Sequence, residues 1–404
     1  MTVPVAFNSK DEPIELDLEP LVYNEWSSAH RDAPGSAQLI PLIERASSLL
    51  SRRALSGRAR KPFSPTDAVI DIELDDGRSV FVRVLVYNDE DPAKEEWKRA
   101  RIYAELSILR WLEANATGVP VPSVLAFDET NGMLITTLLP GLDALHAYPH
   151  LNTSAKEHSV ISWARLSVLM FRLPAPQRRF GLIESPLLST SYHSISPEHV
   201  FQIDESASLL SFFTKAISTR RARSSTINDA ETQEMLGQRL DHLLDGLKPL
   251  IALTEQTPYL TRSALTHGDP RASNVILDPT SGDVVGIVDW EFNAAMPACM
   301  STVYPGWIRY SIIQSSIYRN PSSRFETVHV ESREKRNLLC DLYEKTVKEL
   351  DEEYYQCLIQ GTRLRDALAW IENSYSDHDG FAMNLWVESH LFGNEINHRS
   401  VRNC

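Results

Sequence analysis

Apolar residues recur along this chain with two different periods, and the changes of period mark out its elements. Between residues 36 and 50 the apolar positions are Leu39, Leu42, Ile43, Ala46, Leu49 and Leu50. Spacings of three and four put them on one helical face, with Gly57 as the predicted stop. The run AVIDIELDDGRSVFVRVLVY, Ala68 to Tyr87, holds two β-rich segments around Asp75-Asp76-Gly77 and predicts a hairpin. A charged helix follows over residues 91–115, with Trp97, Ile102, Leu106, Leu109 and Leu112 on its apolar side. Two more short strands are predicted around Asn131-Gly132. From about residue 155 the pattern is mainly helical, except in FGLIES and in LTHGDPRASNVILDPTSGDVVGIVDWEF, residues 265–292. The polar, acidic stretch before Asp32 predicts a loose arm. The turn-rich stretch 218–234 predicts a mobile loop or a helix start.

This order predicts an α+β, bilobal chain. An arm and helix occupy 1–54, a small antiparallel-sheet lobe 55–140, and a larger, mainly helical lobe 141–404. Small-molecule sites tend to lie between such lobes.

Composition narrows the function classes. The 404 residues suffice for a substantial core, and 43% hydrophobic with 23% charged residues is ordinary for a globular protein. The net charge is −14, from 40 Lys and Arg against 54 Asp and Glu, without a long basic run. That balance argues against nucleic acid or an anionic membrane as partner. Cys299, Cys340, Cys357 and Cys404 form no CxxC pair and read as free thiols. The start MTVPVAFNSKDEP lacks the basic and apolar regions of a secretory signal. No apolar run approaches the ~18 residues of a membrane span. The expectation is a soluble, cytoplasmic monomer or homodimer acting on a small molecule.

Candidate chemistry is concentrated in residues 265–292. His267-Gly268-Asp269 is followed by Asn274 on the same loop. VILD and VVGIVD then read as strands joined at Ser281-Gly282, the second ending in Asp289. A hairpin of this kind folds its ends together, so Asp269, Asn274 and Asp289 can converge. Phosphoryl transfer needs a base for the acceptor proton and oxygen ligands for Mg²⁺. Asp269 fits the base, Asn274 and Asp289 fit the ligands, and His267 fits a brace for the loop.

His267-Gly268-Asp269, Asn274 and Asp289-Trp290-Glu291 together resemble the aminoglycoside phosphotransferase/choline kinase family, within the protein-kinase-like fold. Asp-Trp-Glu stands where protein kinases carry Asp-Phe-Gly. Pro120–Val124 and Pro140-Gly141 are similar to segments of the fungal branch of phosphotransferase enzymes, and the resemblance spans roughly 55–310. It implies ATP and Mg²⁺ as cofactors and a small-molecule hydroxyl or amine as acceptor.

By that resemblance Arg83 stands in the place of a phosphate-holding Lys, with Glu105 on the next helix as its partner. Arg keeps the charge but is planar and forked, so the exchange is not conservative. Arg271 stands where protein kinases carry a Lys that steadies the γ-phosphate. Backbone groups at Thr136, Thr137 and Leu138 are expected to meet adenine. The expected glycine loop over the phosphates is missing: residues 56–74 hold only Gly57, beside Arg58, Arg60 and Lys61. Trp163, Tyr304, Trp307, Tyr310 and Trp386, with Asp351, Glu352 and Glu353, are either acceptor-site residues or helix–helix core. Arg83 and the missing glycines favour an alternative reading, a catalytically weak or inactive kinase-like protein that binds a ligand or partner.

Overall fold

The computed structural model describes residues 5–7, 10–15, 22–27, 36–61, 67–85, 92–115, 118–175, 181–182, 208–227, 230–308, 329–373, 383–384 and 386–392. The chain opens with β1 (Val5–Phe7), β2 (Pro13–Glu15) and β3 (Val22–Ser27), then α1 (Ser36–Leu50). Next come β4 (Ala54–Lys61), β5 (Asp67–Leu74), β6 (Ser79–Leu85), α2 (Pro92–Asn115), β7 (Val124–Asp128) and β8 (Met133–Thr137). Strands β3 to β8 form one antiparallel six-stranded sheet in the order β3-β4-β5-β6-β8-β7.

Strand alternation decides what each face of this sheet carries. Ala59, Ile70, Ile72, Val80, Val82, Val84, Met133 and Ile135 point to one side. There they form a single apolar core with Leu39, Ile43 and Ala46 of α1. The opposite face carries the cross-strand row Val69–Arg83–Leu134. Leu134 packs with Ile102, Tyr103, Leu106 and Leu109 of α2 in the core shared with the second lobe. Arg83 therefore faces α2 and the helical lobe, and is no solvated strand charge.

Three local expectations are corrected. The loose arm contributes an edge strand, because Val22–Ser27 pairs with residues 56–61 of β4. The first helix ends at Leu50, before Ser51 at φ 51°, and Gly57 lies within β4. A Cβ at Gly57 would sit 2.7 Å from Ile43 Cδ1, so this glycine allows α1 to approach the sheet. In the stretch 218–234 the expected loop is helical through Ile227, while α6 starts within it at Ala230, as the other reading had it. The β5–β6 hairpin and the β7–β8 pair are as predicted, with Gly77 and Gly132 both at positive φ. Residues 62–66, the tip of the expected phosphate loop, lie outside the described residues.

The helical lobe begins with β9 (Leu142–Asp143), α3 (Ala144–Ala147) and α4 (Thr153–Arg172). After β10 (Gly181–Leu182) come α5 (Leu209–Ile227), α6 (Ala230–Thr254) and α7 (Pro258–Thr261). Strands β11 (Ser263–Thr266), β12 (Val275–Leu277), β13 (Val284–Ile287) and β14 (Ala294–Pro297) precede α8 (Ala298–Ser301), α9 (Arg333–Leu350), α10 (Glu352–Gln360) and α11 (Thr362–Asn373). Two three-stranded sheets, β13-β12-β9 and β10-β14-β11, lie on this helical body. The whole is the bilobal α+β arrangement expected of the sequence.

Trp163 and Trp307 are core residues, edge-on at 5.5 Å between ring centroids. Asp351 caps α10 through the Tyr354 N–H and pairs with Arg172. Tyr310 lies outside the described residues. Cys299, Cys340 and Cys357 are buried and not disulfide-bonded, and burial pushes Cys299 and Cys357 up to about 12. No helix among the described residues is long and apolar enough to cross a membrane.

Candidate active site

The loop after β11 turns sharply at Gly268, whose φ is +83°. A Cβ there would lie 1.9 Å from the carbonyl oxygen of Phe292, so only glycine fits between the two segments. His267, beside it, is buried, and its Nε2 lies 2.9 Å from the Val288 carbonyl. Its ring meets Trp290 edge-on at 4.6 Å. Burial pushes the His267 imidazole below its usual range; Nδ1 accepts from the Asp269 N–H at 3.3 Å, which leaves Nε2–H as the donor to the carbonyl. This side chain ties the loop after β11 to the segment after β13.

Asp269 and Asn274 meet directly. Asn274 Nδ2 donates to the Asp269 backbone carbonyl at 3.0 Å and to its Oδ2 at 3.2 Å. Arg271 Nε donates to Asp269 Oδ1 at 2.7 Å, from a side chain about half exposed. The amide oxygen of Asn274 accepts from Ser273 Oγ, and its backbone carbonyl accepts from the Val288 N–H at 2.9 Å. Asp269, Asn274 and the approach to Asp289 thus form one hydrogen-bonded unit.

Asp289 itself is left-handed, at φ 65° and ψ 56°. Asp tolerates this region better than most residues. The chain reverses there into a single 3-10 turn, Trp290–Phe292. Asp289 Oδ1 accepts from Arg83 Nη1 at 3.0 Å, and the side chain is 35% exposed. The same nitrogen donates to Glu105 Oε2 at 2.8 Å. The family-based pairing of Arg83 with Glu105 is therefore present, and Arg83 holds Asp289 as well. Burial pushes the Glu105 carboxyl up, against the pull of Arg83, and the Asp289 charge adds to the rise.

Sequence reading missed Glu291. It is buried, pairing with Arg83 Nη2 through one oxygen and with Arg101 Nη2 through the other. A signal existed: the third position of Asp289-Trp290-Glu291 is a carboxylate where the protein-kinase pattern has Gly. It coincides with an Arg where that pattern has Lys.

A hard divalent cation prefers carboxylate and amide oxygens and keeps several waters. The Asn274 amide oxygen and the Asp289 carboxylate match that donor chemistry. Among the described residues no group of three or more His, Cys, Asp or Glu is placed to hold a metal ion. A cation here therefore needs water or substrate oxygens to complete its shell.

At the linker, Thr136 is buried in β8. The Thr137 N–H donates to Ser123 at 3.0 Å, and the Leu138 N–H donates to Ser79 at 3.2 Å. Both groups are occupied by backbone carbonyls of neighbouring segments.

Residues 66–299, which include every one of these side chains, match the model of the phosphotransferase enzyme family. The chain belongs to the phosphotransferase enzyme family. It is accordingly a phosphotransferase, with a bilobal α+β arrangement. The chain is 25% identical over 407 residues to clavilactone A biosynthesis cluster protein Y of Ampulloclitocybe clavipes, covering 96% of each. Among solved structures it is similar to the streptomycin–ATP–APH(2″)-IIa ternary complex, at 11% identity, TM-score 0.47, 86% of this chain and 95% of the other. It is also similar to macrolide 2′-phosphotransferase type I, at 13% identity, TM-score 0.44, 90% of this chain and 98% of the other.

Proposed function

We propose that this phosphotransferase moves the γ-phosphate of ATP to a hydroxyl, or amine, of a small metabolite. Asp269 is the base, and Asn274 and Asp289 are the ligands of a magnesium ion. The observation that carries this reading is the bonded unit of the site: Asn274 Nδ2 on Asp269, and the Val288 N–H on Asn274. A base and two hard-oxygen donors are held on one scaffold, as phosphoryl transfer requires.

The acceptor oxygen forms a bond to the γ-phosphorus as the bond from that phosphorus to the bridging oxygen of ADP breaks. The acceptor proton passes to the Asp269 carboxylate. Asn274 orients that carboxylate by donating to Oδ2. Arg271 holds Oδ1 until substrate is present. Its exposed guanidinium can then turn to the γ-phosphate, which frees Oδ1 for the proton. Magnesium, when bound, neutralises charge developing on the phosphate oxygens. Arg83 and Glu105 fix the position of Asp289. Adenine is proposed to sit against Thr136, Thr137 and Leu138. Because two of those N–H groups are occupied, their remaining backbone groups and the residues just beyond would meet the base.

The name of the full-length relative, a biosynthesis cluster protein, supports a metabolite as acceptor. The test is calorimetric titration with ATP, with and without Mg²⁺, beside an Asp289→Ala variant. Magnesium-dependent binding that is lost in the variant is the expected result. It justifies screening acceptors by mass gain. No binding at millimolar ATP overturns the proposal. Arg83 meets three carboxylates, which favours a second reading: a site that binds nucleotide but turns over slowly. Magnesium-dependent binding without phosphate transfer across the acceptor screen would select it.

A further inference from the structure

The guanidinium of Arg83 is shared among carboxylates from two elements: Glu105 on α2, and Asp289 and Glu291 on the segment after β13. Glu291 in turn lies between two arginines, Arg83 of the sheet and Arg101 of α2. Arg101 and Glu105 are four residues apart on α2 and so share a face. We infer that Glu291 is a positioning residue for Asp289, acting through Arg83. By anchoring one nitrogen of the guanidinium, it sets where the other nitrogen presents itself to the Asp289 carboxylate.

The physical cause is the shape of arginine. The guanidinium is a rigid plane with its donors at fixed angles. Nη2 is bound to Glu291, so the plane cannot turn about its long axis, and Nη1 is held between Glu105 and Asp289. Nη1 then takes Oδ1 of Asp289 and leaves Oδ2 to meet a cation. A lysine at position 83 has one rotatable nitrogen and lacks the rigid fork that binds Glu291 at one nitrogen and Glu105 and Asp289 at the other. The Arg in place of Lys and the Glu in place of Gly are therefore one device, and each explains the other.

Other contacts hold the same segment without Glu291. Asn293 Nδ2 donates to the Ala104 carbonyl of α2 at 3.3 Å and to the Trp290 carbonyl at 2.7 Å. Arg101 also lies over the Phe292 ring, 4.8 Å from its centroid. The turn after Asp289 should thus survive loss of the Glu291 charge, and the effect on Asp289 can be measured separately.

The inference rests on the proposed magnesium-nucleotide site. Its test compares the affinity for ATP in Mg²⁺ with that in EDTA, by calorimetry, for the wild type, Glu291→Gln, Arg83→Lys and the double variant, with thermal unfolding of each. Removing an outer partner of a metal ligand typically costs about 10–100-fold in metal affinity. Glu291→Gln is expected to cut the gain in ATP affinity from Mg²⁺ by about tenfold or more, with affinity in EDTA within about twofold of wild type. Once Arg83 is Lys, adding Glu291→Gln should reduce that gain little further, because coupled residues are not additive. An unchanged magnesium gain in Glu291→Gln, with only a lowered melting temperature, overturns the inference and leaves Glu291 a structural ion pair. Fully additive losses overturn the route through Arg83. If Glu291→Gln does not fold, Glu291→Asp, which keeps the charge but is one methylene shorter, takes its place and is read against the same two outcomes. Absence of ATP binding by the wild type overturns the nucleotide reading itself, a distinct result.

Discussion

His267 Nε2 lies 2.9 Å from the carbonyl oxygen of Val288, joining the loop that bears Asp269 to the segment that bears Asp289. His267→Ala removes this bond, leaves the carbonyl without its partner and opens a hole beside Trp290. We expect a loss of about 2–4 kcal/mol in stability, from cavity and unpaired polar group together. Denaturant unfolding measures the loss. Magnesium-dependent ATP binding should weaken in parallel, since the two halves of the site are then less firmly joined. A variant with wild-type stability would remove the brace from the account.

Gly268→Ala should be worse for the site than its size suggests. A Cβ would meet the Phe292 carbonyl at 1.9 Å, and φ is +83° besides. Backbone on either side must move, and Asp269 moves with it. The expected result is soluble but strongly destabilised protein with no measurable ATP binding, read by melting and calorimetry. By contrast Gly77→Ala meets no atom within 4 Å and should cost only the strain of its positive φ, about 1–2 kcal/mol.

Asp269→Asn should separate chemistry from binding. The amide keeps nearly the same shape and loses the proton acceptor, so transfer should fall by about 10²–10⁴-fold, the usual share of a general base. Affinity for magnesium-ATP should stay within a few-fold of wild type. Single-turnover transfer to the first acceptor identified, with calorimetry on the same sample, checks both halves. Retained transfer would mean that another group takes the proton.

Asp128 offers a pH-dependent readout remote from the site. Hydrogen bonds from Arg45 and Asn131 hold its carboxyl down to about 2, against an ordinary 3.8. A folded-state value below the unfolded one adds stability that is full above the unfolded value and lost as pH falls through the folded one. The stability gap between wild type and Asp128→Asn should therefore shrink as pH drops from about 5 towards 2. Arg45 is 46% exposed, so screening limits the pair to about 1 kcal/mol at neutral pH. Urea midpoints at pH 6 and pH 4 would show whether the gap narrows.

The elements that sequence reading located share a property: their signals are local. Residues 68–87 alternate around Asp75-Asp76-Gly77, and residues 92–115 repeat with a helical period, so the hairpin and α2 could be read without knowing their neighbours. His267, Asp269, Asn274 and Asp289 were also legible, because a loop and a short hairpin bring them together within 23 residues of chain, 267 to 289.

The misread parts depend on partners far away in the chain. Val22–Ser27 has little apolar alternation, since it is an edge strand whose pairing with β4 is made by backbone groups common to every sequence. Gly57 has the look of a helix stop, and its actual cause, the Ile43 side chain, is visible only once α1 lies on the sheet. Glu291 could be read as one more acid near Asp289. Its place between Arg83 and Arg101 depends on the packing of sheet, α2 and β13 segment against one another. Periodicity and turn chemistry act between near neighbours and are written in order along the chain. The pairing of a buried charge depends on which remote elements enclose it, and the order of residues does not state that.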